Sequence, residues 1–207
     1  MPQREQITIN EPVHIMNRGV EKRTIYLCDD DYMRFLLCLK VFNQNQSVNI
    51  KEYLKYFEGK EELNIGNQSH WNIHSGYYVS IECFTLMNNH FHIKLKPLVD
   101  NGVSVFLQKV MMGYTKYFNY KYQRVGSLFQ GPYKVVIPEN DFHLNHLNAY
   151  IHLNSLDYTY PKWRNGVLAN PEEALEKAIA YPWSDLKQHI TPEYRKILIE
   201  ILSRKAI

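Results

Sequence analysis

Cysteine is scarce in this chain. The three present, Cys28, Cys38 and Cys83, are far apart and form no Cys-x-x-Cys pair. That excludes a disulfide framework and a cysteine zinc site, and each is expected as a small buried apolar residue. Long apolar runs are also missing, so no membrane span is expected. Residues 1–11 are polar and include acidic groups, unlike a secretion signal, and the cytoplasm is the expected location. No repeat and no low-complexity tract interrupts the chain. A third absence is local: between Asp100 and Glu139 there is no acidic residue.

What fills that acid-poor stretch is cationic and aromatic. Lys109, Lys116, Lys121, Arg124 and Lys134 are threaded among Phe106, Tyr114, Tyr117, Phe118, Tyr120, Tyr122, Phe129 and Tyr133. Cations neutralise phosphates, and aromatic faces stack on unpaired bases, so this composition favours a polyanion surface. Some of these aromatics are expected to face a core instead. The whole-chain charge of +3 argues nothing by itself.

Hydrophobic periodicity predicts strands at 13–17, 78–86, 90–96 and 133–137. It predicts helices at 32–42, 103–123, 141–156, 171–180 and 192–205. This order predicts an α+β fold: a ferredoxin-like antiparallel sheet with packed helices and a C-terminal helical extension. A catalytic domain is expected over 1–160 and the extension over 161–207. The polar stretch 43–74, with a short helix at 51–57, reads as an insertion.

Two patterns carry chemistry. In the strand at 90–96, His90, His92, Lys94 and Lys96 fall on one face and Phe91, Ile93 and Leu95 on the other. Two imidazoles so placed can hold a divalent ion if a third ligand arrives from elsewhere. The second pattern is the helix at 141–156, where His146, Tyr150 and Asn154 recur every fourth residue and share a stripe. Asn154 offers a carbonyl oxygen, which suits Mg or Mn. Tyr150, one turn earlier, would hold its hydroxyl near the ion, where a cation favours the phenolate. His152 reads as structural. His14 and His143 have no pattern to recommend them.

Several ordered segments also resemble one family. They are His14-Ile15-Met16-Asn17-Arg18-Gly19, Leu86-Met87-Asn88-Asn89-His90-Phe91-His92, the run from Arg124 to Lys134 that contains Phe129-Gln130-Gly131-Pro132, and Tyr150-Ile151-His152-Leu153-Asn154. Together, with the later Tyr181-Pro182-Trp183-Ser184, they resemble the REP-associated tyrosine transposases of the HUH single-strand transposase superfamily. Asn88 and Ser155 stand where proline is common in that family. The resemblance implies a metal pair at His90 and His92, Asn154 as third ligand, Tyr150 as nucleophile, and Mg or Mn as the cofactor. It implies single-stranded or hairpin DNA as the partner, cut through a 5′-phosphotyrosine link, by a monomer or homodimer. Asn17, Arg18, Lys94, Lys116, Lys121, Arg124 and Lys134 are the expected DNA contacts. Two other readings fit the same residues: a single-stranded DNA binder without strand transfer, and a metallonuclease in which water attacks.

Overall fold

The computed structural model describes residues 7–45, 76–164 and 168–203. The expected short helix at 51–57 and most of the 43–74 insertion lie outside the described residues. The elements are β1 (Val13–Arg18), α1 (Asp29–Val41), β2 (Val79–Met87), β3 (His90–Pro97), α2 (Gly102–Lys121), β4 (Lys134–Val136), α3 (Asp141–His152), α4 (Pro171–Ala180), α5 (Leu186–His189) and α6 (Pro192–Ser203). The sheet is antiparallel in the order β2-β3-β1-β4. This is the ferredoxin-like α+β plan expected from the sequence, with helices following at the C-terminal end.

The two faces of the sheet differ in chemistry. Phe91, Ile93 and Leu95 of β3 pack with Phe35 and Leu39 of α1 and with Phe106, Val110 and Tyr114 of α2 in one apolar core. Each of these is fully buried, and truncating one of the aromatics to alanine would cost about 3–5 kcal/mol. The opposite face carries His14, His92 and Lys94 and is covered by α3 through Leu147, Tyr150 and Ile151, which meet Cys83. A second apolar cluster joins Ala149, Leu153 and Leu156 to Leu175, Leu186 and Leu198. The C-terminal helices therefore pack on the same helix that carries Tyr150.

Local devices set the register of the strands. Glu82 is an extra residue in β2, because pairing passes from Ile81↔Leu95 to Cys83↔Lys94. β2 is an edge strand, and residues 183–185 cover its open side. Leu86 N–H bonds the Trp183 carbonyl at 2.8 Å and Phe84 N–H bonds Asp185 Oδ1 at 2.9 Å. Covering the edge this way blocks pairing with another chain and seats Asp185 beneath the sheet. At the end of β1, Gly19 is required by close approach. A Cβ there would lie 2.3 Å from the Arg23 carbonyl oxygen. Gly126 and Gly131 adopt positive φ, the backbone region that favours glycine.

The structure corrects two expectations here. The helix expected over 141–156 ends at His152, and the chain tightens to a 3-10 helix over Leu153–Tyr158. Asn154 stays beside Tyr150 through its Nδ2 bond to the Tyr150 carbonyl. Cys28 is exposed rather than buried, while Cys38 and Cys83 are buried. Cys28 precedes α1 with extended backbone, and its Sγ lies 3.2 Å from Lys121 Nζ at the surface. No helix among the described residues is long and apolar enough to cross a membrane.

Candidate active site

Pairing between β1 and β3 sets Arg18 opposite His90, Met16 opposite His92 and His14 opposite Lys94. Cross-strand partners share a face, so these groups all project toward α3. His14 Nε2 and His92 Nδ1 are 2.9 Å apart, and the two rings stack. The His90 and His92 ring centroids are 5.1 Å apart, nearly perpendicular.

Hydrogen bonds select the ring atoms that remain available. Asn89 Nδ2 donates to the Lys22 carbonyl at 3.0 Å, which orients that carboxamide. Asn89 Oδ1 therefore accepts from His90 Nδ1 at 2.6 Å. A neutral His90 then holds its proton on Nδ1 and its lone pair on Nε2. His92 likewise spends Nδ1 on His14. Burial and the nearby Arg18 guanidinium push the His90 ring down to about 4, and burial alone pushes His14 down to about 4. Burial, with its two histidine neighbours, holds His92 well below the usual imidazole range. Rings that stay neutral at pH 7 are suited to metal ligation.

Tyr150 stands over this group. Its ring centroid is 5.6 Å from that of His92 and 6.2 Å from that of His14, edge-on to both. The Arg164 guanidinium lies 5.1 Å from the Tyr150 ring centroid, a cation–π arrangement. Arg164 also donates to Asn154 Oδ1 at 2.8 Å and is ion-paired with Asp157. Asn154 is 1% exposed, and its Nδ2 returns to the Tyr150 carbonyl at 3.1 Å. The structure thus brings Tyr150, His90 and His92 together in one chain, and it engages the Asn154 oxygen with a guanidinium. Arg164 Nε is buried with no hydrogen-bond partner among the described residues. Nothing in local spacing ties Arg164 to Tyr150, so the sequence alone gives no sign of its role.

The expected DNA contacts divide by face. Arg18 is exposed, and Lys134 is exposed and pairs opposite Met16, so both flank the histidines. Lys116 and Lys121 belong to α2, across the sheet. Lys121 Nζ is bound to Asp31 at 2.9 Å, and Lys116 is exposed. Arg124 caps its own loop through Asn119 Oδ1 at 2.7 Å. Lys94 is 6% exposed, held by Glu82 at 2.8 Å and Asn148 at 2.7 Å. Asn17 is also buried, and its carboxamide bonds the Gly131 carbonyl and the Arg18 N–H.

A second group of metal-ligating side chains lies at the far end of α3. His152, Asp185 and His189 offer ligand atoms that all lie within 4.8 Å of one another. His152 is expected from the sequence to be structural. The one local signal was the fourfold spacing of Asp185 and His189 on a helical turn, and His152 joins them only in three dimensions.

A REP-associated tyrosine transposase shares this fold. That solved structure, of the transposase bound to a REP hairpin, superposes with a TM-score of 0.54 over 91% of this chain and 84% of its own, at 12% identity. At that identity the likeness speaks for the fold. No family model matches the chain, and no curated protein matches it.

Proposed function

We propose that this chain is a metal-dependent strand transferase that cuts single-stranded DNA beside a hairpin, with Tyr150 as the nucleophile. The observation that carries the proposal is the meeting of the Tyr150 ring with His92 at 5.6 Å, beside two imidazoles whose Nδ1 atoms are engaged and whose Nε2 atoms can serve an ion. The likeness in fold to a hairpin-bound transposase supports the same reading.

His90 and His92 would hold Mg or Mn through Nε2, with Asn154 Oδ1 as the oxygen ligand once Arg164 swings away. The bound ion would polarise the scissile phosphate and favour the phenolate. Tyr150 Oη gives its proton to water and forms a bond to phosphorus. The bond from phosphorus to the 3′ oxygen breaks, and that oxygen takes a proton to leave as a 3′ hydroxyl. The 5′ side stays linked to Tyr150, so the bond energy is stored and no nucleotide cofactor is needed. A second strand's 3′ hydroxyl then reverses the exchange. Arg164, whose guanidinium lies over the Tyr150 ring, supplies a donor to the phosphate on the Tyr150 side. Arg18 and Lys134 position the backbone on the same face. Tyr150 serves the histidines of its own chain.

The test incubates protein, Mn and a hairpin oligonucleotide with a single-stranded flank. The expected product is a covalent adduct that persists in a denaturing gel. Tyr150→Phe is expected to reduce the adduct by about 10⁴-fold or more, with hairpin affinity little changed. An adduct that survives the substitution overturns the assignment. The guanidinium on Asn154 favours a second reading, a single-stranded DNA binder without strand transfer. Hairpin binding without cleavage in either metal would choose it. Cleavage that survives Tyr150→Phe and leaves a 5′ phosphate would choose a metal-bound water instead.

A further inference from the structure

We infer that His152, Asp185 and His189 bind one zinc-class divalent cation, forming a clasp between the Tyr150 helix and the C-terminal helices. The inference is independent of the strand-transferase reading. The three ligands come from three places in the chain. His152 ends α3, Asp185 belongs to the segment that covers the β2 edge, and His189 ends α5.

The donor atoms are already gathered. His152 Nε2 lies 3.2 Å from Asp185 Oδ1, and His189 Nε2 lies 2.9 Å from Asp185 Oδ2. Neighbouring donors around an ion with bonds of about 2.0–2.2 Å stand at similar separations. Two imidazoles and one carboxylate suit zinc better than Mg or Ca, which prefer oxygen.

The surroundings are those of a supported site. Tyr194 Oη is 2.8 Å from His152 Nδ1, which orients the ring and leaves Nε2 as the ligand atom. The Phe84 N–H bonds Asp185 Oδ1 at 2.9 Å, which orients the carboxylate. Such outer bonds are what hold metal ligands in place. His152 is 2% and Asp185 6% exposed, while the His189 side chain is 23% exposed. Solvent reaches the group from the His189 side, where water can fill the fourth position.

Protons can make the same clasp, by riding between the imidazoles and the carboxylate. Binding of the ion displaces the proton from both Nε2 atoms: the His152 proton moves to Nδ1 and is donated to Tyr194 Oη, the His189 proton moves to its own Nδ1, and any second proton on either ring is released to water. Tyr150 lies two residues before His152, so an ion here stiffens the helix that carries Tyr150 from the side away from the DNA-facing groups.

The test uses the full chain with His90→Ala and His92→Ala together, so that among the described residues this group is the one cluster left to bind metal. After chelation, reloading with zinc and gel filtration, about one zinc per chain is expected to stay bound. A saturating excess of zinc, about a hundredfold over Kd, is expected to raise Tm by about 5–10 °C. Cobalt in place of zinc is expected to give the visible d–d band of a four-coordinate site. His189→Gln keeps a donor for Asp185 but removes the ring nitrogen, and it is expected to weaken zinc binding by about tenfold or more. The clasp is overturned if the double variant retains no zinc and shows no cobalt band. It is also overturned if His189→Gln holds zinc as tightly as its parent. The adduct assay on the unaltered chain reads the other site, so the two ideas fail separately.

Discussion

Around His92, ring meets ring, whereas around Asp185, rings meet a carboxylate. The first group, His14, His90 and His92, is neutral, and the charges acting on it are the cations Arg18 and Arg164 together with the carboxylate of Asp157. The second is built on a buried anion that already has three hydrogen-bond donors, Phe84 N–H, His152 and His189. Burial alone would push the Asp185 carboxyl up, but the two imidazoles overcome that and hold it below the usual range. The contrast shows one residue type in two settings: neutral rings bonded to neutral partners around His92, and rings bonded to a buried carboxylate around Asp185.

The largest break in this comparison is expected from Asp185→Ala. It removes the charge and strands the Phe84 N–H and both rings, and should lower stability by about 2–4 kcal/mol. His90→Ala loses one bond to Asn89 and should lower stability by about 1 kcal/mol. Urea unfolding of both variants checks the ranking, and equal losses would erase the distinction between the clusters.

Acid should separate the clusters next. His14 and His90 titrate near 4 in the folded chain against 6.5 as the ordinary value. Between those values the unfolded chain binds the protons and the folded chain does not. Stability is therefore fully present above pH 6.5 and declines as pH falls toward 4, each ring adding at most about 1.4 kcal/mol per pH unit. Asp185 acts lower: its contribution is present above 3.8 and is lost as pH falls through its depressed folded value. Urea midpoints measured in chelator from pH 7 to pH 3 test this. A flat midpoint from 6.5 to 4 would contradict the burial of His14 and His90 as neutral rings.

The smallest expected effect sharpens the first cluster alone. Arg164→Gln removes a cation that faces His90, His92 and Asn154 Oδ1. Mn affinity is expected to rise by about three- to tenfold, as read by Mn titration with water-proton relaxation. Any adduct yield should fall in the same variant, because the phosphate donor is gone. Unchanged Mn affinity would show that the guanidinium does not compete with the ion.

Much of this architecture was legible in local pattern. Alternation in 90–96 sorted His90 and His92 from Phe91 and Ile93 correctly, because a strand has period two whatever packs on it. The order of elements led to the ferredoxin-like sheet. Less legible was the end of α3. A stripe of every fourth residue presumes α-helical winding, which stops at His152, and no local spacing signals the Arg164 that bonds Asn154. The acid-poor stretch was uniform in sequence yet is split in space, with Lys116 and Lys121 on one side of the sheet and Lys134 on the other.

By itself, then, the sequence determined which residues share a face, since backbone periodicity and burial of apolar side chains are short-range rules. Only the tertiary structure decided which faces meet. It set Tyr150 against His92 and His14, Arg164 against Asn154, and His152 against Asp185 and His189. Those meetings follow from long-range packing of α3 between the sheet and the C-terminal helices, which sums many weak contacts that no local spacing records.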